Sequence, residues 1–141
     1  MSEPEPGAAA PGISLAQAQA LIARGHAAAE AVGLRAVVAV HDAGANLIAF
    51  ARMDGAWLAS NELAQAKARA SVMFQAPSEA LGTPVQLGQP IPHFDHIHHG
   101  GLLLMGGGLP IFNPSGVLLG GIGVSGGTPE QDAELARAAL V

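Results

Sequence analysis

Cysteine and tyrosine are absent from this 141-residue chain, and tryptophan occurs once. Without cysteine there can be no disulfide, zinc–thiolate site, iron–sulfur cluster or thiol nucleophile. Basic residues are also scarce: six Lys and Arg against eleven Asp and Glu leave a net charge of −5. Spread along the chain, they form no stripe that could track phosphates, so no nucleic-acid partner is expected. Apolar runs are broken by glycine well short of the ~20 residues that span a bilayer. Residues 1–12 carry Glu3 and Glu5 and neither the basic nor the apolar region of a signal peptide. They read as a flexible tail rich in Pro and Ala, and a cytoplasmic location with no membrane partner is expected.

What remains is apolar and small. Half the residues are hydrophobic, Ala and Gly dominate that share, and only 12% are charged. A chain of this length buries roughly 70% of its unfolded surface, so residues 13–141 are expected to form one domain. Small side chains let elements approach closely, which also suits extensive subunit contacts and a homo-oligomer.

Local signals order the elements. Ser14 and Gln17 have capping-box spacing, and Leu15, Ala18, Leu21 and Ile22 recur at helical period toward a stop at Gly33. Two β-branched or apolar runs, 35–41 and 46–53, flank Asp42-Ala43-Gly44 and predict an antiparallel hairpin. A second helix is predicted over 56–74, ended by Pro77. Residues 82–101 show no clear period, and such a long loop is often functional. Strands are then predicted at 102–105, 110–112 and 117–124. The last is apolar on both faces and therefore central. Thr128, Pro129 and Gln131 open the final helix as N-cap, first-turn proline and capping partner. The order α-β-β-α-β-β-β-α implies an α+β (α/β) fold, an antiparallel sheet flanked by helices.

The chemistry concentrates in the loop. His93, His96, His98 and His99 surround Asp95, and imidazole is a ligand for Fe, Zn and Ni and an axial ligand of haem iron. In an extended segment His96 and His98 share a face; in a turn His93 and His96 approach one another. Asp95 or Asp54 could complete a two-histidine, one-carboxylate set. The alternative is a solvated polar loop. Arg52, Asp54 and Lys67 are a second candidate set. A cation pair there could anchor a carboxylate or a propionate, or Asp54 could simply pin the strand–helix junction by pairing with Arg52 or Lys67. The glycine run 120–127 is not a dinucleotide loop, because the helix after it opens with acidic residues. It reads as close backbone packing or a ligand rim, with the Ser125 hydroxyl and the amides near Gly126 as donors. His41 at a strand end and His26 on the first helix are weaker candidates.

Several stretches together resemble the GlcG/HbpS-like family, which also occurs as the C-terminal domain of corrinoid adenosyltransferases. They are Val40-His41-Asp42-Ala43-Gly44, Arg52-Met53-Asp54-Gly55-Ala56, Ala64-Gln65-Ala66-Lys67-Ala68, Gly106-Gly107-Gly108-Leu109-Pro110-Ile111 and Gly120 to Gly127, followed by Asp132. The resemblance implies a profilin-like sandwich in higher oligomers and haem or tetrapyrrole binding; Gly107 and Ser125 are candidate cofactor-binding residues beside His96 and His98. Two functions stay open. One is a tetrapyrrole- or metal-binding protein that uses His96 and His98. The other is an enzyme on a small anionic or carbonyl substrate, with the histidines as metal ligands or general acid–base groups and Arg52 or Lys67 as anchors.

Overall fold

The computed structural model describes residues 12–90, 92 and 102–141. The elements are α1 (Leu15–Ala31), β1 (Val37–Asp42), β2 (Leu47–Arg52), α2 (Ala59–Phe74), a 3-10 turn (Ser78–Leu81), β3 (Gly108–Phe112), β4 (Leu118–Ser125) and α3 (Pro129–Leu140). Apart from Gly12, the expected tail lies outside the described residues, as does the whole histidine cluster with Asp95.

Both predicted capping boxes form. The Ser14 hydroxyl accepts from Gln17 N at 3.1 Å while Ser14 N donates back to the Gln17 side chain at 2.8 Å. Thr128 and Gln131 repeat the exchange at 3.1 and 2.9 Å. In the β1–β2 turn, Asp42 Oδ1 accepts from Gly44 N and Asn46 N at 2.8 and 2.9 Å. Burial opposes ionisation of that carboxyl, but the bonds from Asn46 and Gly44, helped by nearby His41, outweigh it and lower its pKa.

The sheet order is β2-β1-β4-β3, antiparallel throughout, with β4 central as its apolar faces imply. Period-two alternation divides β4 cleanly. Ile122 and Val124 join Val38 and Val40 in the main core under α1 and α3. Gly121 and Gly123 face α2, where a Cβ on Gly123 would overlap the Ala64 carbonyl and one on Gly121 would sit 2.6 Å from Ser71 Oγ. Val37 and Ala39 pack with Ala64 on this second face. The α2 backbone therefore lies almost on the sheet, which fixes what can line its exposed flanks.

The chain departs from expectation at two places. α2 begins at Ala59 rather than near Ala56, because Gly55 turns with φ +84° and Ala56 N bonds back to Met53 O. Residues 102–105 pair with no strand among the described residues. Leu102 and Leu104 instead bury themselves against Ala70, with Phe74, Leu81 and Val85 around them. Gly106 and Gly107 then turn the chain into β3, and the Ser78 hydroxyl bonds to the Met105 carbonyl and accepts from Gly108 N at 2.8 Å. The strand expected at 102–105 is therefore absent, and this apolar stretch covers α2 instead of extending the sheet.

Candidate functional site

α2 carries polar groups on a face that is otherwise made of small residues. Ala64, Lys67, Ala68 and Ser71 recur at spacings of three and four and all are buried. The Lys67 ammonium sits 2.8 Å from Asp132 Oδ2 on α3 and donates to the Val124 carbonyl at 3.1 Å. Asp132 Oδ1 accepts from Gly126 N and Gly127 N at 3.0 and 2.8 Å. One buried carboxylate thus ties α2, the end of β4 and the first turn of α3 together. The pair is satisfied at both ends, as a buried ion pair must be.

This network relocates several sequence-derived candidates. Lys67 pairs across 65 residues with Asp132 and not with Asp54. Arg52 donates to the Ala56 carbonyl at 3.3 Å instead, so the expected strand–helix ion pair is replaced by a main-chain bond. The amides of Gly126 and Gly127, read as ligand donors, are committed to Asp132. The Ser125 hydroxyl donates to Ser60 Oγ at 3.2 Å. Gly107 has φ +130° and its missing Cβ faces Val124 O, Lys67 Cδ and Asp132 Cβ, which makes it a close-packing position. His26 Nε2 lies 3.0 Å from the Ala51 carbonyl and links α1 to β2.

His41 is buried on the α2 side of β1, and its Nδ1 has no hydrogen-bond partner among the described residues. Burial lowers its pKa to about 4, the Arg69 charge pushes the same way, and Asp42 opposes them. It is held neutral. Among the described residues no three His, Asp or Glu side chains gather into a metal-binding group.

Two clefts open on either side of Leu63. The first, about 370 Å³, is lined by Leu63, Gln65, Arg69, Leu102 and Leu103, with Glu62 at its edge. Its far wall begins three residues after His99 in the chain. The second, about 320 Å³, lies between Arg35, Trp57, Ser60, Leu63 and the Ser125–Gly127 rim. Sequence reasoning missed Asp132, Ser60, Arg35 and Trp57 as site residues. The signal for Asp132 was a lone lysine set in a buried stripe of Ala and Ser, which demands a distant carboxylate. Nothing local marks the other three.

Known proteins resemble this chain in sequence and in fold. The chain is 34% identical over 112 residues to the corrinoid adenosyltransferase PduO of Citrobacter freundii, covering 79% of this chain but spanning only 33% of that protein. It is 32% identical over 128 residues to an uncharacterised 15.0 kDa protein from the dhaT–dhaS intergenic region of the same organism, covering 91% of this chain and 89% of that one. Among solved structures, Klebsiella pneumoniae protein ORFY superposes with a TM-score of 0.88 at 31% identity, covering 99% of this chain and 95% of that chain. A complex of PduOC with haem superposes at 0.85 and 30%, covering 92% and 93%. HbpS superposes at 0.82 and 29%, covering 99% and 96%. No helix of the described residues is long and apolar enough to cross a membrane. The family model for haem-degrading HbpS-like proteins matches residues 13–141, and the chain belongs to that family.

Proposed function

We propose that this protein binds haem or a related tetrapyrrole in the cleft between Leu63 and Leu102–Leu103. The observation that carries the reading is the position of that cleft. Its leucine wall continues directly from the segment holding His93, His96, His98 and His99. A cleft with a leucine wall and one cation, Arg69, beside the polar Glu62 and Gln65 fits a flat macrocycle that bears carboxylates, with the ring against the leucines and Arg69 toward a propionate. Haem held here would supply a redox-active iron, and His96 and His98, with His93, His99 and Asp95 near them in the sequence, are the residues proposed to hold it. The solved haem complex of a relative with the same fold supports this ligand class.

Lys67 belongs to the proposal as a positioning residue, while Ser125 lies outside it, on the rim beyond Leu63. The Lys67–Asp132 pair holds α2 against β4 and so fixes the wall from which Leu63 and Arg69 project. Arg52, bonded to Ala56 O, lies on edge strand β2, whose exposed Leu47 and Phe50 suit contact with another copy in a homo-oligomer. The anchors expected for an enzyme, Arg52 and Lys67, bond to separate partners, which leaves binding as the better supported reading.

Haemin titration of the purified full chain tests the proposal. A saturable Soret shift is expected, abolished when His93, His96, His98 and His99 are all changed to Ala. A shift that survives that variant removes the histidines from the site.

A further inference from the structure

The second cleft, beyond Leu63, has a composition that haem binding does not use. Trp57 is 82% exposed on its rim, an unusual setting for the only indole in the chain. Arg35, also exposed, makes no hydrogen bond or ion pair among the described residues. At the opposite wall Ser60 and Ser125 are 6% and 4% exposed. Ser125 Oγ–H donates to Ser60 Oγ, so the Ser60 proton is left to donate elsewhere. An aromatic face, an uncommitted guanidinium and a buried hydroxyl pair therefore share one cleft of about 320 Å³.

The geometry points to a binding site for a small planar aromatic carboxylate. Its ring would lie against the Trp57 indole, its carboxylate would take the fork of Arg35, and a polar ring substituent would reach the Ser60–Ser125 pair. The charge balance selects a carboxylate over a phosphate. Gly126 and Gly127 offer the rim amides that a phosphate would use, but both donate to Asp132. One guanidinium remains, matched to a single negative charge. The volume lies at the small end of the range for ligand pockets, which suits a single ring. The inference is independent of haem binding, since it shares only the Leu63 wall with the first cleft.

The chain supplies its own reporter. With one tryptophan and no tyrosine, emission excited at the red edge of the indole band comes from Trp57 alone. Haem-free full-length protein is titrated with benzoate, with neutral benzamide and with cyclohexanecarboxylate. Saturable change with benzoate is expected, with affinity roughly tenfold or more weaker for benzamide and for Arg35→Gln, the scale of a charge-assisted bond, and roughly threefold to tenfold weaker for cyclohexanecarboxylate, the scale of an aromatic contact. Arg35→Lys keeps the charge without the fork and is expected between wild type and Arg35→Gln. Because Arg35 is exposed, neither variant disturbs the core. Linear, unsaturable quenching, an equal response to benzamide, or unchanged affinity in Arg35→Gln would overturn the assignment. So would emission that shifts with protein concentration and ignores benzoate, which would give Trp57 to a subunit contact. The histidine-cluster variant should titrate with benzoate like wild type, so failure of haem binding and failure of this site are told apart.

Discussion

Acidification should destabilise the protein through His41 before the carboxylates protonate. The imidazole is 3% exposed, its Nδ1 is unpartnered among the described residues, and its pKa falls from 6.5 to about 4 on folding. The folded state thus binds the proton less tightly than the unfolded chain. Stability is fully present above pH 6.5 and declines as pH falls toward about 4. Each pKa unit is worth about 1.4 kcal/mol, so the whole shift is worth about 3 kcal/mol, of which about 2 kcal/mol is lost between pH 7 and pH 5. Urea denaturation at a series of pH values measures this directly, with His41→Leu as the comparison. Leucine fills the buried site without a proton to gain, and the histidines and carboxylates that do not touch His41 cancel in the difference, leaving Asp42 as a small residual below pH 5. Stability of wild type relative to the variant should fall by about 2 kcal/mol from pH 7 to pH 5. Parallel curves would show that His41 protonates as easily folded as unfolded, and that its burial under α2 is wrong.

Three further substitutions probe the frame. Lys67→Met leaves Asp132 buried without its cation and should cost about 3–5 kcal/mol by denaturant midpoint, while Lys67→Met with Asp132→Leu should recover much of that loss. Gly123→Ala drives a methyl into the Ala64 carbonyl, which is backbone and cannot swing aside. It should cost about 1–3 kcal/mol or more in thermal unfolding. Thr128→Ala removes the cap of α3 and should cost about 1 kcal/mol, and a loss near zero would mean that the capping box contributes nothing.

The parts of the fold legible in the sequence are those set by neighbours along the chain. Ser14 with Gln17 and Thr128 with Gln131 announce helix starts because a cap and its partner lie three residues apart. The central place of β4 was readable because Ile122 and Val124 alternate with glycines, so both faces are available for packing. Residues 102–105 show the limit of such patterns. Leu102, Leu103, Leu104 and Met105 are all apolar, so the sequence marks the stretch for burial but not whether a strand or α2 covers it. The Lys67–Asp132 pair was hidden for the same reason, since its partners are 65 residues apart and only packing of α2 and α3 around β4 joins them. The histidine cluster was legible as chemistry, and its placement falls outside the described residues. The cleft between Leu63 and Leu103 became visible only once α2 and the Leu102–Leu103 wall were brought together.

Haemin added to the full chain, followed by absorbance through the Soret band, bears most directly on the proposed function. A saturable shift at one haem per chain is expected, weakened by Leu103→Asp in the cleft wall and lost in the quadruple histidine-to-alanine variant. A Soret band that stays at the position of free haemin would contradict haem binding by this protein.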